Sequence, residues 1–190
     1  AQLHEEVQRM AAVLQSFGVG KGDRVQIYMP MIAEAAFAML ACVRLGAIHS
    51  VVFGGFASVS LASRIDDAQP KVVISADAGS RGGKAIAYKP LLDEALQLAK
   101  HKPAAVLLVD RGLAPMPLQA GRDHLWSTLR TQPQFSEAKV PCTWLNSSDP
   151  SYILYTSGTT GKPKGVQRDT GGYAVALASS MQHIFAGQAG

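Results

Sequence analysis

Residues 152–166 read Tyr-Ile-Leu-Tyr-Thr-Ser-Gly-Thr-Thr-Gly-Lys-Pro-Lys-Gly-Val, and they constrain this chain more than any other stretch. Ile153 and Leu154 before the segment and Val166 after it are strand-like, while the residues between are mostly glycine, hydroxyl or lysine. Gly158, Gly161 and Gly165 permit backbone angles at which successive N–H groups converge on one anion. Thr156, Ser157, Thr159 and Thr160 add hydroxyl donors, and Lys162 and Lys164 add cations. Such a loop suits phosphate. It is not a Walker A motif, because Thr156 stands where that motif begins with glycine and Pro163 stands where it carries a magnesium-binding hydroxyl. Pro163 also pushes Lys162 out of the helical region, so the chain is expected to return through a second strand at Gly165-Val166-Gln167. A flexible Gly/Ser/Thr linker is the alternative, and the apolar brackets argue against it.

Upstream, the hydrophobic pattern alternates between helix and strand. Leu3, Val7, Met10, Ala11, Leu14 and Phe17 share one helical face, closed by Gly18 and Gly20. A strand over 24–29, a helix over 32–45, a strand over 47–53, a helix over 58–68 and a strand over 71–75 follow. A helix over 89–100, a continuously apolar strand over 104–109 and, beyond the loop, a helix over 171–185 complete the pattern. The alternation predicts an α/β fold with a mostly parallel sheet flanked by helices. Residues 111–150 carry Pro115, Pro117, Pro133, Pro141 and Pro150 and read as an irregular connection, with a short helical candidate over 124–130.

With 190 residues and 47% hydrophobic content, the chain is large enough to bury a core. Its net charge of +4 suits anionic small molecules and is too mild for a nucleic-acid polymer. The 5 histidines show no i, i+4 pair, so no metal site is expected. Cys42 and Cys142 lack metal or redox spacing and read as buried thiols, with their pairing left open. Glu5, Glu6 and Arg9 interrupt any signal-peptide core, and Gly46, His49, Ser50, Gly54 and Gly55 break the uncharged run over 45–63. The expectation is a cytoplasmic or organelle-matrix setting with no membrane partner.

The run Thr-Ser-Gly-Thr-Thr-Gly-Lys-Pro-Lys-Gly over 156–165 resembles the phosphate loop of the acyl-adenylate-forming superfamily, which includes acyl-CoA synthetases, luciferases and peptide-synthetase adenylation domains. The likeness is colinear over nearly the whole chain. Val51 to Phe56, Ile74 to Asp77 and Arg81 to Lys84 resemble the acetyl- and propionyl-CoA synthetase branch. Gly165 to Asp169, Gly171 to Leu177 and Arg111 to Met116 are most similar to propionyl-CoA synthetases. Taken alone, Arg168-Asp169 reads as a local ion pair at a strand end.

The resemblance implies part of the large N-terminal AMP-binding domain over 1–190: an α/β segment over 1–110 with CoA-contact loops, an irregular connection over 111–150, and the phosphate loop with its following helix over 151–190. It implies ATP and CoA as substrates with Mg2+ as the activating ion. ATP phosphates would lie on Thr156, Ser157, Gly158, Thr159, Thr160, Gly161, Lys162, Lys164 and Gly165, with Lys164 acting in catalysis. CoA would lie on Phe53, Gly54, Gly55, Arg81, Gly82, Gly83 and Lys84. On residues alone, 81–84 reads as a basic surface turn, and only the resemblance favours a CoA contact. The implied chemistry is attack of a short-chain carboxylate on the α-phosphorus of ATP, then transfer of the acyl group to the CoA thiol.

The family's adenine, ribose and C-terminal lysine motifs are expected beyond Gly190, and the uncapped first helix suggests a missing beginning, so the chain reads as an internal segment needing the remainder of its own chain. Three functions are carried forward: a propionate–CoA ligase segment, an acetyl- or other short-chain acyl-CoA synthetase segment, and an inactive truncated nucleotide- or CoA-binding module.

Overall fold

The computed structural model describes residues 2–156 and 163–187. Its strands are β1 (Arg24–Met29), β2 (Ile48–Phe53), β3 (Val72–Ala76), β4 (Ala78–Arg81), β5 (Lys84–Ala87), β6 (Ala105–Val109), β7 (Asp123–Leu125), β8 (Pro150–Thr156) and β9 (Lys164–Asp169). Its helices are α1 (Gln2–Ser16), α2 (Ala33–Leu45), α3 (Ser58–Ala68), α4 (Lys89–Leu98), α5 (Trp126–Leu129), α6 (Pro133–Ser136) and α7 (Thr170–His183).

Seven strands form one sheet in the order β7-β6-β3-β1-β2-β8-β9, with every pair parallel except β8–β9. Alternating side chains of the inner strands bury on opposite faces. Val25, Ile27, Ile74 and Leu107 pack with Met10 and Leu14 of α1 and Ala38 and Cys42 of α2. Tyr28, Val73, Val106 and Leu108 pack with Leu61 and Ile65 of α3 and Leu92 of α4. Burial on both faces is why these strands are apolar at nearly every position.

The direction of the connections decides where a ligand fits. From β1 the chain steps through α2 to β2 on one side, and α3 then carries it back past β1 to β3. From β3 it continues outward through α4 to β6. The connections leaving β1 and β3 therefore diverge, opening a crevice at their carboxyl ends.

Several expectations are corrected. The stretch 111–150 is not wholly irregular: Asp123–Leu125 pairs in parallel with Val106–Leu108, so His124 and Leu125, expected to open a helix, lie in a strand and α5 starts only at Trp126. Residues 78–87 form an antiparallel hairpin, β4–β5, whose turn residues Gly82 and Gly83 take φ of 57° and 76°. Two consecutive positive φ values are what a two-residue hairpin turn of type I′ requires. Cys142 is exposed, because it lies in a segment without regular structure; Cys42 is buried, and both thiols are free. Burial pushes the Cys42 thiol up to about 12. Asp169 does not pair with Arg168 among the described residues: its carboxylate caps α7 by accepting from the Gly172 N–H at 2.5 Å.

Two buried polar features stand out. The Lys89 ammonium, 1% exposed, lies 2.5 Å from Asp93 and 3.1 Å from Asp123, and Arg122 bridges the same two carboxylates. This network fastens the edge strand β7 to α4. His49 on β2 stacks against Tyr152 of β8 at 5.6 Å, and its Nδ1 is buried without a partner among the described residues. Burial lowers the imidazole from 6.5 to about 4. The folded protein thus resists a proton that the unfolded chain accepts, so His49 should cost no stability above pH 6.5 and destabilise the fold progressively as pH falls toward 4. Urea unfolding of the complete protein at pH 7 and pH 5 should show an acid-induced loss about 2 kcal/mol larger for wild type than for His49→Gln. An equal loss in both would show that His49 titrates normally.

Candidate functional site

At the crevice between the diverging connections lies an open cleft of about 560 Å³. Met29, Pro30 and Ile32 line it after β1, and Phe53 and Gly54 after β2. Gly79, Ser80, Ile86 and Tyr88 contribute the hairpin side, Arg111 the exit of β6, and Leu154 the adjacent face of β8.

The structure brings Phe53 and Gly54 directly into this cleft. Gly82, Gly83 and Lys84 lie at the exposed tip of the hairpin whose flanks form part of the wall. For Arg81 the backbone is defined: it pairs with Lys84 across the turn. Phe53 meets Phe56 edge-on with centroids 6.2 Å apart.

Tyr88 joins the two loops. Its ring is 5% exposed and lies 5.0 Å from the ring of Tyr28, which in turn donates from its hydroxyl to the Phe56 carbonyl at 3.3 Å. A Cβ at position 54 would overlap the Tyr88 hydroxyl, and one at position 79 would stand 2.7 Å from its Cζ. The absence of side chains at Gly54 and Gly79 therefore makes the slot that the tyrosine fills. Burial raises the Tyr88 phenol above its ordinary value, with Arg111 pulling weakly the other way, so the hydroxyl remains a donor at neutral pH.

Asp77, fully buried between β3 and β4, organises the same region. Its carboxylate accepts from the N–H groups of Ala78 at 2.7 Å, Leu113 at 2.6 Å and Ala114 at 3.3 Å. Its carbonyl accepts from Tyr88 N–H at 2.8 Å, closing the base of the hairpin. One side chain thus ties the loop after β6 to the hairpin. Burying a carboxylate is tolerable when backbone donors replace its water.

The phosphate-loop candidates Ser157, Gly158, Thr159, Thr160, Gly161 and Lys162 lie outside the described residues. Their flanks are defined: β8 and β9 pair antiparallel, with Thr156 opposite Lys164 and Tyr155 opposite Gly165. The strand before the loop and the return strand expected after Pro163 are those observed. Tyr155 is gripped from α3, donating to Asp67 at 2.5 Å and lying 5.3 Å from the Arg64 guanidinium. Arg64 also covers Phe56 at 4.5 Å, so the loop after β2 and the strand entering the phosphate loop touch a common cation. Because β8 is the parallel neighbour of β2, Thr156 and Phe53 both stand at the carboxyl edge of the sheet.

Ile86, Tyr88 and Arg111 escaped sequence reasoning as cleft residues. The missing signal is long-range: nothing local tells that Tyr88 packs against glycines at 54 and 79. Asp77 at the end of an apolar strand was the one visible cue.

The profile of the AMP-binding enzyme family matches residues 1–189. The chain belongs to that family. Among its relatives, the propionate–CoA ligase of Escherichia coli (strain K12) is 64% identical over 189 residues, covering 100% of this chain and 30% of that protein. The mitochondrial acyl-CoA synthetase short-chain family member 3 of Homo sapiens is 50% identical over 187 residues, covering 98% of this chain and 27% of that protein. Among solved structures, the acetoacetyl-CoA synthetase from Streptomyces lividans superposes with a TM-score of 0.84 at 28% identity, over 95% of this chain and 27% of that one. The chain thus spans about 30% of the length of the curated relatives it matches. The α/β architecture with its mostly parallel sheet is shared with an acyl-CoA synthetase.

For this AMP-binding family member, Gly54→Ala should destabilise the complete protein by about 1–3 kcal/mol through overpacking against Tyr88. Combining it with Tyr88→Ala should cost less than the sum of the single changes. Strict additivity in a urea-unfolding double-mutant cycle would show that the two positions do not share a slot.

Proposed function

We propose that the complete protein is an AMP-forming acid–thiol ligase that joins a short-chain carboxylate, propionate foremost, to CoA. The observation carrying this proposal is the pairing of Thr156 with Lys164 at the carboxyl edge of the parallel sheet, beside the cleft entered by Phe53 and Gly54. That pairing brackets a sequence rich in phosphate-binding donors. The 64% identity to propionate–CoA ligases supports propionate over other short acids.

In the first step a carboxylate oxygen attacks the α-phosphorus of ATP, forming an acyl-adenylate and releasing pyrophosphate. Charge grows on the departing phosphates, and Lys164, exposed at the start of β9, supplies a cation there. Thr156, Ser157, Thr159 and Thr160 supply hydroxyls, while Gly158, Gly161, Lys162 and Gly165 complete the cradle. In the second step the CoA thiol attacks the acyl carbon, and AMP leaves. Phe53, Gly54, Gly55 and the turn Arg81-Gly82-Gly83-Lys84 hold the nucleotide end of CoA. Magnesium would enter with ATP in this scheme, as the activating ion.

The segment is proposed as part of the large N-terminal domain, with 1–110 carrying the CoA loops, 111–150 connecting, and 151–190 carrying the phosphate loop. A cytoplasmic setting and small-molecule partners complete the proposal. No described helix is long and apolar enough to cross a membrane.

Carboxylate-dependent ATP–pyrophosphate exchange by the complete protein should be strongest with propionate, weaker with acetate and butyrate. A preference for acetate would overturn the substrate, and no exchange with any acid would overturn the ligase assignment. Lys164→Ala should slow exchange by about 100-fold, the scale of losing one charge-stabilising donor. Unchanged exchange at saturating ATP would remove Lys164 from that role. Arg81→Glu should raise the KM for CoA; if exchange fell as far as thioester formation, the 81–84 turn would not be a CoA contact.

A further inference from the structure

Arg111 is a cation that the cleft exposes and the fold does not consume. It stands two residues after β6, where the carboxyl edge of the sheet opens into the cleft. One guanidinium nitrogen, Nη1, donates to the Ala78 carbonyl at 3.0 Å. No carboxylate among the described residues forms an ion pair with it. Arginine carries five N–H donors in a planar fork, so most of its capacity is left for a partner. Its backbone is held firmly on both sides. Asp110 accepts from Gly112 N–H at 2.9 Å, and the buried Asp77 carboxylate anchors Leu113 and Ala114. Beside it stands Tyr88, which also lines the cleft and whose phenol feels the Arg111 charge.

We propose that Arg111 is a phosphate-reading residue of the thiol-carrier site, pairing with the 5′-pyrophosphate of CoA while the Arg81–Lys84 turn takes the 3′-phosphate. The assignment rests on the acyl-CoA synthetase function proposed above. Geometry separates the two roles: Arg111 is tied to Ala78 at the base of the hairpin, and the turn lies three residues further along β4, about 10 Å away. A ligand with two phosphate groups on different parts of one nucleotide suits two cationic points set apart in this way. Burial of the neighbouring wall at Tyr88 limits water access to one side of the contact, which favours a charge-assisted, forked hydrogen bond.

The test uses the complete protein and three thiol acceptors: CoA, dephospho-CoA and pantetheine. Arg111→Gln should raise the KM for CoA by about 10- to 100-fold and raise it similarly for dephospho-CoA, because both retain the pyrophosphate. Pantetheine, which has no phosphate, should show a far smaller change, and Arg111→Lys should recover part of the loss. An equal loss with pantetheine would mean that Arg111 only props the hairpin through Ala78, overturning the proposal. No loss with CoA would overturn it outright, and a loss confined to CoA would move Arg111 to the 3′-phosphate. Exchange activity of the unsubstituted protein is measured alongside: if that is absent, the ligase function has failed, whereas normal exchange with an unaffected Arg111→Gln variant refutes only the arginine's role.

Discussion

The position of β1 between β2 and β3 is the constraint on which the cleft depends. A parallel strand buried on both faces can offer a ligand only its carboxyl end, and a crevice opens there only where neighbouring connections leave toward opposite faces. Here α2 departs with α1 on one face while α3 and α4 cover the other. The loops after β1, β2, β3 and β6 consequently converge, and β8 delivers the phosphate-loop flank to the same edge. No separate device is needed to assemble the two proposed half-sites.

Polar groups then fix what the sheet only brings near. Asp77 replaces its water of hydration with three backbone N–H groups, one from the start of β4 and two from the loop after β6. Arg64 lies against the aromatic rings of both Phe56, in the loop after β2, and Tyr155, in β8. Lys89 and Arg122 share two carboxylates at the far edge, where β7 has a strand neighbour on one side only. Buried charges are costly unless neutralised and hydrogen-bonded, and each of these is held in more than one direction.

Much of the scaffold was legible in the sequence because its strands and helices announce themselves by period. Arg24–Met29 and Ser58–Ala68 occupy the ranges that their apolar spacing implies. The phosphate-loop strand and its return were legible for a different reason: Pro163 forbids a helical exit from the loop. What escaped depends on partners distant in sequence. Asp123–Leu125 is only three residues long and becomes a strand because β6 offers it an open edge. The 78–87 hairpin hides behind small residues with no clear alternation, and Cys142 looks apolar in its local context yet is exposed. The binding candidates at 53–55 and 81–84 were found by family likeness, whereas the residue joining their loops, Tyr88, shows no motif at all.

The slot formed by Gly54, Tyr88 and Gly79 has a mechanical consequence. A ring wedged between two backbones, tilted against Tyr28 and anchored by the Tyr88 N–H to Asp77, leaves little room for either loop to shift alone. Thermal displacement of the hairpin is therefore correlated with displacement of the loop after β2, and the cleft wall behaves as one stiff plate rather than two independent flaps. Its local width is set by the volume of a single side chain, so the dimension a ligand must match is inherited from position 88 rather than from the flexibility of the glycines beside it.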